Sequence, residues 1–334
     1  MISLSILDAL PEGLLECSAR DLYRLLDGPT LIELPGKSGA PLFVSVLMHG
    51  NEDSGLGAAQ RILREYRSRS LPRPLMLMIG NVQAAREGKR RLPGQPDYNR
   101  VWPGAERDQN STEARIMAQV RDRAIERKAF AAIDIHNNTG RNPHYSVICT
   151  RDRRVERLAA MFTRSAVLFR GLPGTQTASF GTTLPALTIE CGQPGRDENA
   201  EAAARFVHLV LGLTDLSHAH DPKLELDLFH TLAQVKVKSD ISLAGRVEGH
   251  WLRLDTDLDR MNFENAESGA RIGSTNHPMP LEAIDEQGRD VAHDYFTVVQ
   301  GRLQLKQSVV PAMLTSDEQI VRQDCLCYLM ERLD

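Results

Sequence analysis

Between residues 42 and 213 the chain alternates short apolar runs with amphipathic segments, and this alternation constrains its fold more than any other feature. The runs at 42–48, 75–79, 130–135, 145–149, 167–169 and 186–189 read as strands, several apolar on both faces as strands buried in a layered protein are. Between them the spacing predicts helices. Residues 54–66 carry Leu56, Ala59, Ile62 and Leu63 on one stripe. Residues 112–128 carry Ile116, Met117, Val120, Ala124 and Ile125, with Asn110 or Ser111 as cap, and a third helix is expected over 198–211. Strands alternating with helices predict an α/β layer sandwich.

The pattern changes after Asp221-Pro222. Short alternating stretches at 233–238, 251–254, 295–299 and 325–330, separated by Gly, Asn, Asp and Pro, predict a smaller, mainly antiparallel β domain. The turn-like residues His218, His220, Asp221 and Pro222 put the boundary near 215–225, giving expected domains of 1–220 and 221–334. A length of 334 residues accommodates both.

A net charge of −4 spread along the chain argues against nucleic acid as a partner. No apolar run is long enough to span a membrane. The N-terminus has no basic start, and Asp8 interrupts its apolar stretch, so it does not read as a secretory signal. The five cysteines, an odd number at scattered positions, do not suggest a disulfide framework, and Cys325 and Cys327 are expected on one buried strand face. A cytoplasmic location is expected.

Chemistry-bearing residues fall at strand ends. His49-Gly-Asn-Glu52 follows the 42–48 run, where a His and a Glu three residues apart can face one point. Two His and one Glu, with a fourth position left for water, form the catalytic pattern of zinc. The second His stands in Asp134-Ile-His136-Asn137, just past the 130–135 run, and ligand sites of α/β sheets collect at the carboxyl ends of strands. Glu190 ends a third run, where a buried carboxylate needs a task or a partner, and near zinc it can act as general base. Basic residues gather after the 75–79 run: Arg86, Lys89, Arg90 and Arg91, then Asp97-Tyr-Asn99-Arg100. Arginine suits both a bidentate grip on a carboxylate and the polarisation of a carbonyl.

Taken together, these residues resemble the succinylglutamate desuccinylase/aspartoacylase family, relatives of the zinc carboxypeptidases. The resemblance spans roughly residues 40–210. His49-Gly-Asn-Glu52 is similar to the family's HGNE ligand pair, Asp134-Ile-His136-Asn137 to its D-[LI]-H-[NT] segment, and Thr188-Ile-Glu190-Cys-Gly192 to the segment carrying the catalytic Glu. The stretch from Asn81 to Arg90 looks like its N-P-x-A-x-(R)-x-G-K-R run, and Asn99-Arg100 like its N-R pair. The resemblance implies a carboxypeptidase-like mixed sheet flanked by helices, with one Zn2+ per chain held by His49, Glu52 and His136. It implies Glu190 and Arg90 as catalytic residues, with Asn99, Arg100 and Asn137 on the substrate side. The C-terminal β domain would wall one side of the site, with Tyr295 or Tyr328 reaching in.

Two departures stand out. Val82 replaces the common Pro after the Asn. The family's additional Arg, about ten residues before the catalytic Glu, is absent from Ala178-Ser-Phe-Gly-Thr182, so the acyl group is open, with Arg141 or Arg170 as substitutes. The expected activity is hydrolysis of a small carboxylate-bearing N-acyl amino acid, the protein standing alone or as a homo-oligomer. A carboxypeptidase-like enzyme trimming small or cell-wall peptides and a non-catalytic zinc-containing binding protein are the alternatives.

Overall fold

A computed structural model describes residues 2–170, 173–216, 225–243 and 248–333. The boundary expected near residue 220, with His218 and His220, lies outside the described residues. The described chain divides into two units. The first runs to Asn137 and resumes over His144–Leu226; the second takes Asn138–Pro143 and the chain from Asp227 onward.

The first unit is built on a mixed sheet. Its strands are β1 (Ser5–Leu7), β2 (Thr30–Leu34), β3 (Leu42–Val46), β4 (Leu75–Ile79), β5 (Ala131–His136), β6 (Tyr145–Ile148), β7 (Ser165–Leu168) and β8 (Ala186–Glu190). They lie in the order β1-β2-β4-β3-β5-β8-β6-β7. The central β4, β3, β5 and β8 are all parallel, so Ile79, Val46, His136 and Glu190 finish on one edge of the sheet. β2 and β6 run against their inner neighbours and make the sheet mixed.

The helices are α1 (Ser54–Glu65), α2 (Val82–Glu87), α3 (Thr112–Glu126), α4 (Arg153–Phe162), α5 (Gln176–Gly181) and α6 (Asp197–Gly212). α1 lies close on the face carrying Val46 and Ile135, because Gly55 has no side chain; a Cβ there would stand 2.9 Å from Val46 Cγ1. α6 packs along α1. α3 and α5 cover the other face, where Phe43, Trp102 and Phe180 are wholly buried with Met117, Val120 and Ala124. Phe43 lies 5.0 Å from Phe180 and 6.4 Å from Trp102 between ring centroids. Burying each such side chain is worth about 1.5–3 kcal/mol. Ser111 caps α3, its hydroxyl accepting from the N–H of Ala114 at 3.0 Å.

The second unit holds antiparallel strands. β9 (Asp227–Val237) lies between β12 (Leu281–Asp285) and β16 (Cys327–Arg332), and β16 pairs with β15 (Val310–Ala312). A separate sheet joins β10 (Leu252–Leu254), β11 (Arg271–Thr275), β14 (Arg302–Leu305) and β13 (Phe296–Val299) in that order. Val235, Leu281, Phe296, Leu303 and Leu329 belong to one core. The fold is therefore mixed α/β with a smaller antiparallel sheet, as expected. Cys325 and Cys327 are both buried, although the strand begins only at Cys327.

Candidate metal centre

The turn after β3 is shaped by two residues. Leu47 takes the left-handed conformation at φ 55°, which costs a leucine roughly 1–2 kcal/mol, and its carbonyl accepts from the N–H of Asn81 at 2.7 Å. Gly50 lies against the backbone of α2: a Cβ there would stand 2.1 Å from the nitrogen of Ala85. The Gly50 N–H donates to the carbonyl of Arg90 at 3.1 Å, and that of Glu52 to the carbonyl of His49 at 3.2 Å. The chain folds back within four residues and brings the side chains of His49 and Glu52 together.

Glu52 then bridges two imidazoles. Its Oε1 is 2.7 Å from Nδ1 of His49, and its Oε2 is 2.7 Å from Nδ1 of His136. The N–H of Asn137 also donates to Oε2, at 3.1 Å. The three residues are 3%, 5% and 3% exposed, and one donor atom from each lies within 4.8 Å of the other two. Behind each ring stands a second carboxylate. Nε2 of His49 is 3.0 Å from Asp97 Oδ1, and Nε2 of His136 is 2.7 Å from Asp134 Oδ2. Carboxylates behind imidazole ligands fix ring orientation and raise ligand basicity. Two buried imidazoles and a carboxylate converging on one point form a donor set that fits a metal ion such as zinc.

The electrostatics follow from this crowding. Burial and Arg90 push the His49 imidazole down, but Glu52 and Asp97 outweigh them and its pKa is raised. Burial opposes charge on His136 as well, yet Asp134 and Glu52 hold it well above the usual imidazole value. Burial disfavours the ionised Glu52, but the two imidazoles draw its pKa far below the carboxylate range. Against the same cost of burial, His49 and Arg90 hold the Asp97 carboxyl well below its ordinary value.

The remaining expected residues fall as follows. Glu190, buried at the end of β8, is the register partner of His136 in the parallel β5–β8 pair, so the two side chains leave the same face. Nη1 of Arg90 is 3.6 Å from Glu52 Oε1, and its Nη2 is 3.1 Å from Asp97 Oδ2. Nη1 of Arg100 donates to the carbonyl of Asn99 at 2.9 Å. Asn99 lies beside His136, with its Nδ2 3.1 Å from Nε2 of that ring. The Asn137 side chain ties the start of α1 to the end of β8: Oδ1 accepts from the Ser54 N–H at 3.1 Å, and Nδ2 donates to Ser54 Oγ and to the Gly192 carbonyl, both at 2.8 Å. Arg141 belongs to the second unit, where its Nε is 3.7 Å from Asp259. Tyr328, also in that unit, accepts from Gln234 at 3.0 Å.

Four residues received no role from the sequence: Asp97, Asp134, Ser45 and Gln176. Ser45 Oγ donates to Asp134 Oδ1 at 2.6 Å and also reaches the side-chain oxygen of Gln176. The signal for Asp134 was its place two residues before His136 on one strand, a spacing that puts both on the same face.

Residues 38–217, more than half of the chain, match the family model described as succinylglutamate desuccinylase/aspartoacylase catalytic domain. The chain belongs to the succinylglutamate desuccinylase/aspartoacylase family. Members of this family are deacylases. Solved structures agree on the fold. The succinylglutamate desuccinylase of Vibrio cholerae is similar at a TM-score of 0.59 and 14% identity, over 91% of this chain and 86% of that one. That of Chromobacterium violaceum gives 0.58 and 16%, over 90% and 86%. Murine aminoacylase 3 gives 0.56 and 15%, over 89% and 96%. No curated protein matches the chain by sequence. Among the described residues, no helix is long and apolar enough to cross a membrane.

Proposed function

We propose that this family member is a zinc-dependent deacylase that hydrolyses the amide bond of a small N-acyl amino acid. The observation that carries this reading is the buried His49–Glu52–His136 cluster, with Glu190 in register beside His136. His49, Glu52 and His136 would hold one zinc per chain. When bound, zinc supplies Lewis-acid activation of a water and of the scissile carbonyl.

Glu190 takes the proton of the attacking water and returns it to the departing amine nitrogen. Arg90, already beside Glu52, faces the charge that develops on the carbonyl oxygen. Arg100 holds the carboxylate of the amino acid. The relatives' names support a small acylated amino acid as substrate: two are succinylglutamate desuccinylases and one is an aminoacylase. Free cysteines at all five positions accord with a cytoplasmic enzyme.

Metal analysis together with a panel of N-acyl amino acids and C-terminal dipeptides tests the reading. Close to one zinc per chain and turnover of an acyl amino acid are expected. Preferential cleavage of the dipeptides, or tightly held zinc with no turnover of any panel member, would overturn it.

A further inference from the structure

Between α2 and α3 the chain runs from Gly88 to Ser111 without a helix or strand, and this loop carries Arg90, Asp97, Asn99 and Arg100. Loops are more mobile than the elements they join, so one that places functional side chains needs tying down. Asn81, at the start of α2, and Gln95, in the loop, supply the tie. Both residues are buried. Asn81 Oδ1 accepts from the backbone N–H of Ala84 at 3.1 Å, and Gln95 Oε1 accepts from that of Leu92 at 3.0 Å. A backbone N–H can only donate, so these two bonds fix which end of each amide is oxygen. Each nitrogen then meets an oxygen: Asn81 Nδ2 donates to Gln95 Oε1 at 2.9 Å, and Gln95 Nε2 donates back to Asn81 Oδ1 at 3.2 Å. The backbone on either side is held as well. The N–H of Asn81 is the one that donates to the carbonyl of Leu47 in the turn before His49, and the carbonyl of Gln95 accepts from Nη1 of Arg91 at 2.9 Å.

We propose that Gln95 is a positioning residue: its reciprocal amide pair with Asn81 pins the loop against the turn that carries His49, and so sets where Asp97, Arg90 and Arg100 stand. Gln95 acts through its neighbours. Two residues beyond it, the Asp97 carboxylate meets both His49 and Arg90. Arg91, which holds the Gln95 carbonyl, follows Arg90 directly in the chain. The expected effects on zinc and substrate rest on the proposed deacylase activity; the pinning of the loop does not.

The test uses the full chain, well below its melting temperature, with zinc alone and with the substrate found in the panel. Hydrogen exchange across residues 90–100 reads the loop whether or not metal is bound. Gln95→Met nearly keeps the volume of the side chain and removes every bond its amide makes. Exchange in the loop should quicken, and zinc affinity in chelator competition should fall by roughly 10-fold, the lower end of the range for a lost ligand support. KM should rise at saturating zinc, because Arg100 is displaced. A residue that only stabilised the fold would lower the melting temperature and leave the zinc affinity and KM of the folded protein unchanged. Gln95→Asn keeps an amide one methylene too short to close both bonds, and gives smaller shifts in the same direction if Gln95→Met does not fold. Asn81→Ala completes a double-mutant cycle with Gln95→Met. Because the two amides act as one unit, the double variant should exchange no faster than the worse single variant. Wild-type exchange and zinc affinity in Gln95→Met, or additive losses in the cycle, would overturn the proposal. A wild-type protein that takes up no zinc would count against the deacylase reading, and the exchange data would still decide the role of Gln95.

Discussion

Nε2 of His49 lies 3.0 Å from one oxygen of Asp97, and the other oxygen of that carboxylate is 3.1 Å from Nη2 of Arg90. One buried carboxylate therefore orients a candidate metal ligand and a candidate catalytic arginine together. Asp97→Asn removes the charge that both rely on while nearly keeping the shape. It is expected to lower zinc affinity by roughly 10–100-fold, measured by chelator competition. Activity should remain depressed after zinc is restored, because Arg90 has lost its partner. Full recovery with excess zinc would show that Asp97 acts on His49 alone.

Glu190→Gln separates metal binding from turnover. The variant keeps the volume of the side chain at the end of β8 but cannot accept a proton. Zinc content should match the wild type, while kcat falls by about 10²–10⁴-fold, the usual range for a lost general base. Single-turnover kinetics at saturating zinc provide the measurement. Retained activity would remove Glu190 from the reaction.

The raised pKa values of His49 and His136 give a pH dependence with a definite sign. For a group raised on folding, the stabilising contribution is present below its unfolded value of about 6.5 and is lost as pH rises through the folded value. Protein stripped of metal by a chelator should therefore melt at progressively lower temperature as pH rises above neutrality. Glu52, depressed far below the ordinary range, loses its contribution only at acid pH. Zinc must displace the imidazole protons, so the increase in Tm produced by zinc should grow from pH 6 to pH 8. Thermal melts with and without zinc across that range check both trends, and a zinc increment that shrinks with pH would contradict them.

Gly50→Ala probes the turn. The added Cβ would meet backbone atoms of Ala84 and Ala85 at 2.3 and 2.1 Å, and backbone cannot rotate away as a side-chain tip can. A loss of about 1–3 kcal/mol is expected from the overpacking. Zinc content should fall with it, because the displaced turn carries His49. A melt paired with metal analysis distinguishes this from a neutral substitution.

Much of the centre was legible in the sequence because its parts sit at the ends of continuous apolar runs. β3, β5 and β8 are buried on both faces, so Leu42–Val46, Ala131–His136 and Ala186–Glu190 stand out without any need for alternation. Other elements were hidden by size or composition. α2 reads as part of a basic loop because only Val82, Ala84 and Ala85 of its short span are buried, while Arg86 and Glu87 face solvent. α4 carries several arginines over a narrow apolar stripe. The second carboxylates escaped for a different reason. Asp97 and Asp134 have no signature apart from the rings they support, and His49 and Asp97 meet only through the loop that follows α2. The tie between Asn99 and the N–H of Gln176 escaped because the two lie far apart along the chain.

The places of β5 and β8 along the chain also set an order of synthesis. β3 and β5 are neighbours, so His49, Glu52 and His136 can converge as soon as the chain through Asn137 has been synthesised and paired. Glu190 arrives later, after β6, α4, β7 and α5 have been made. A one-residue slip as β8 enters would point Glu190 to the opposite face from His136. The growing chain thus carries all three candidate metal ligands before the candidate general base is present. On the proposed reading, metal capture and hydrolytic competence become separable stages of its maturation.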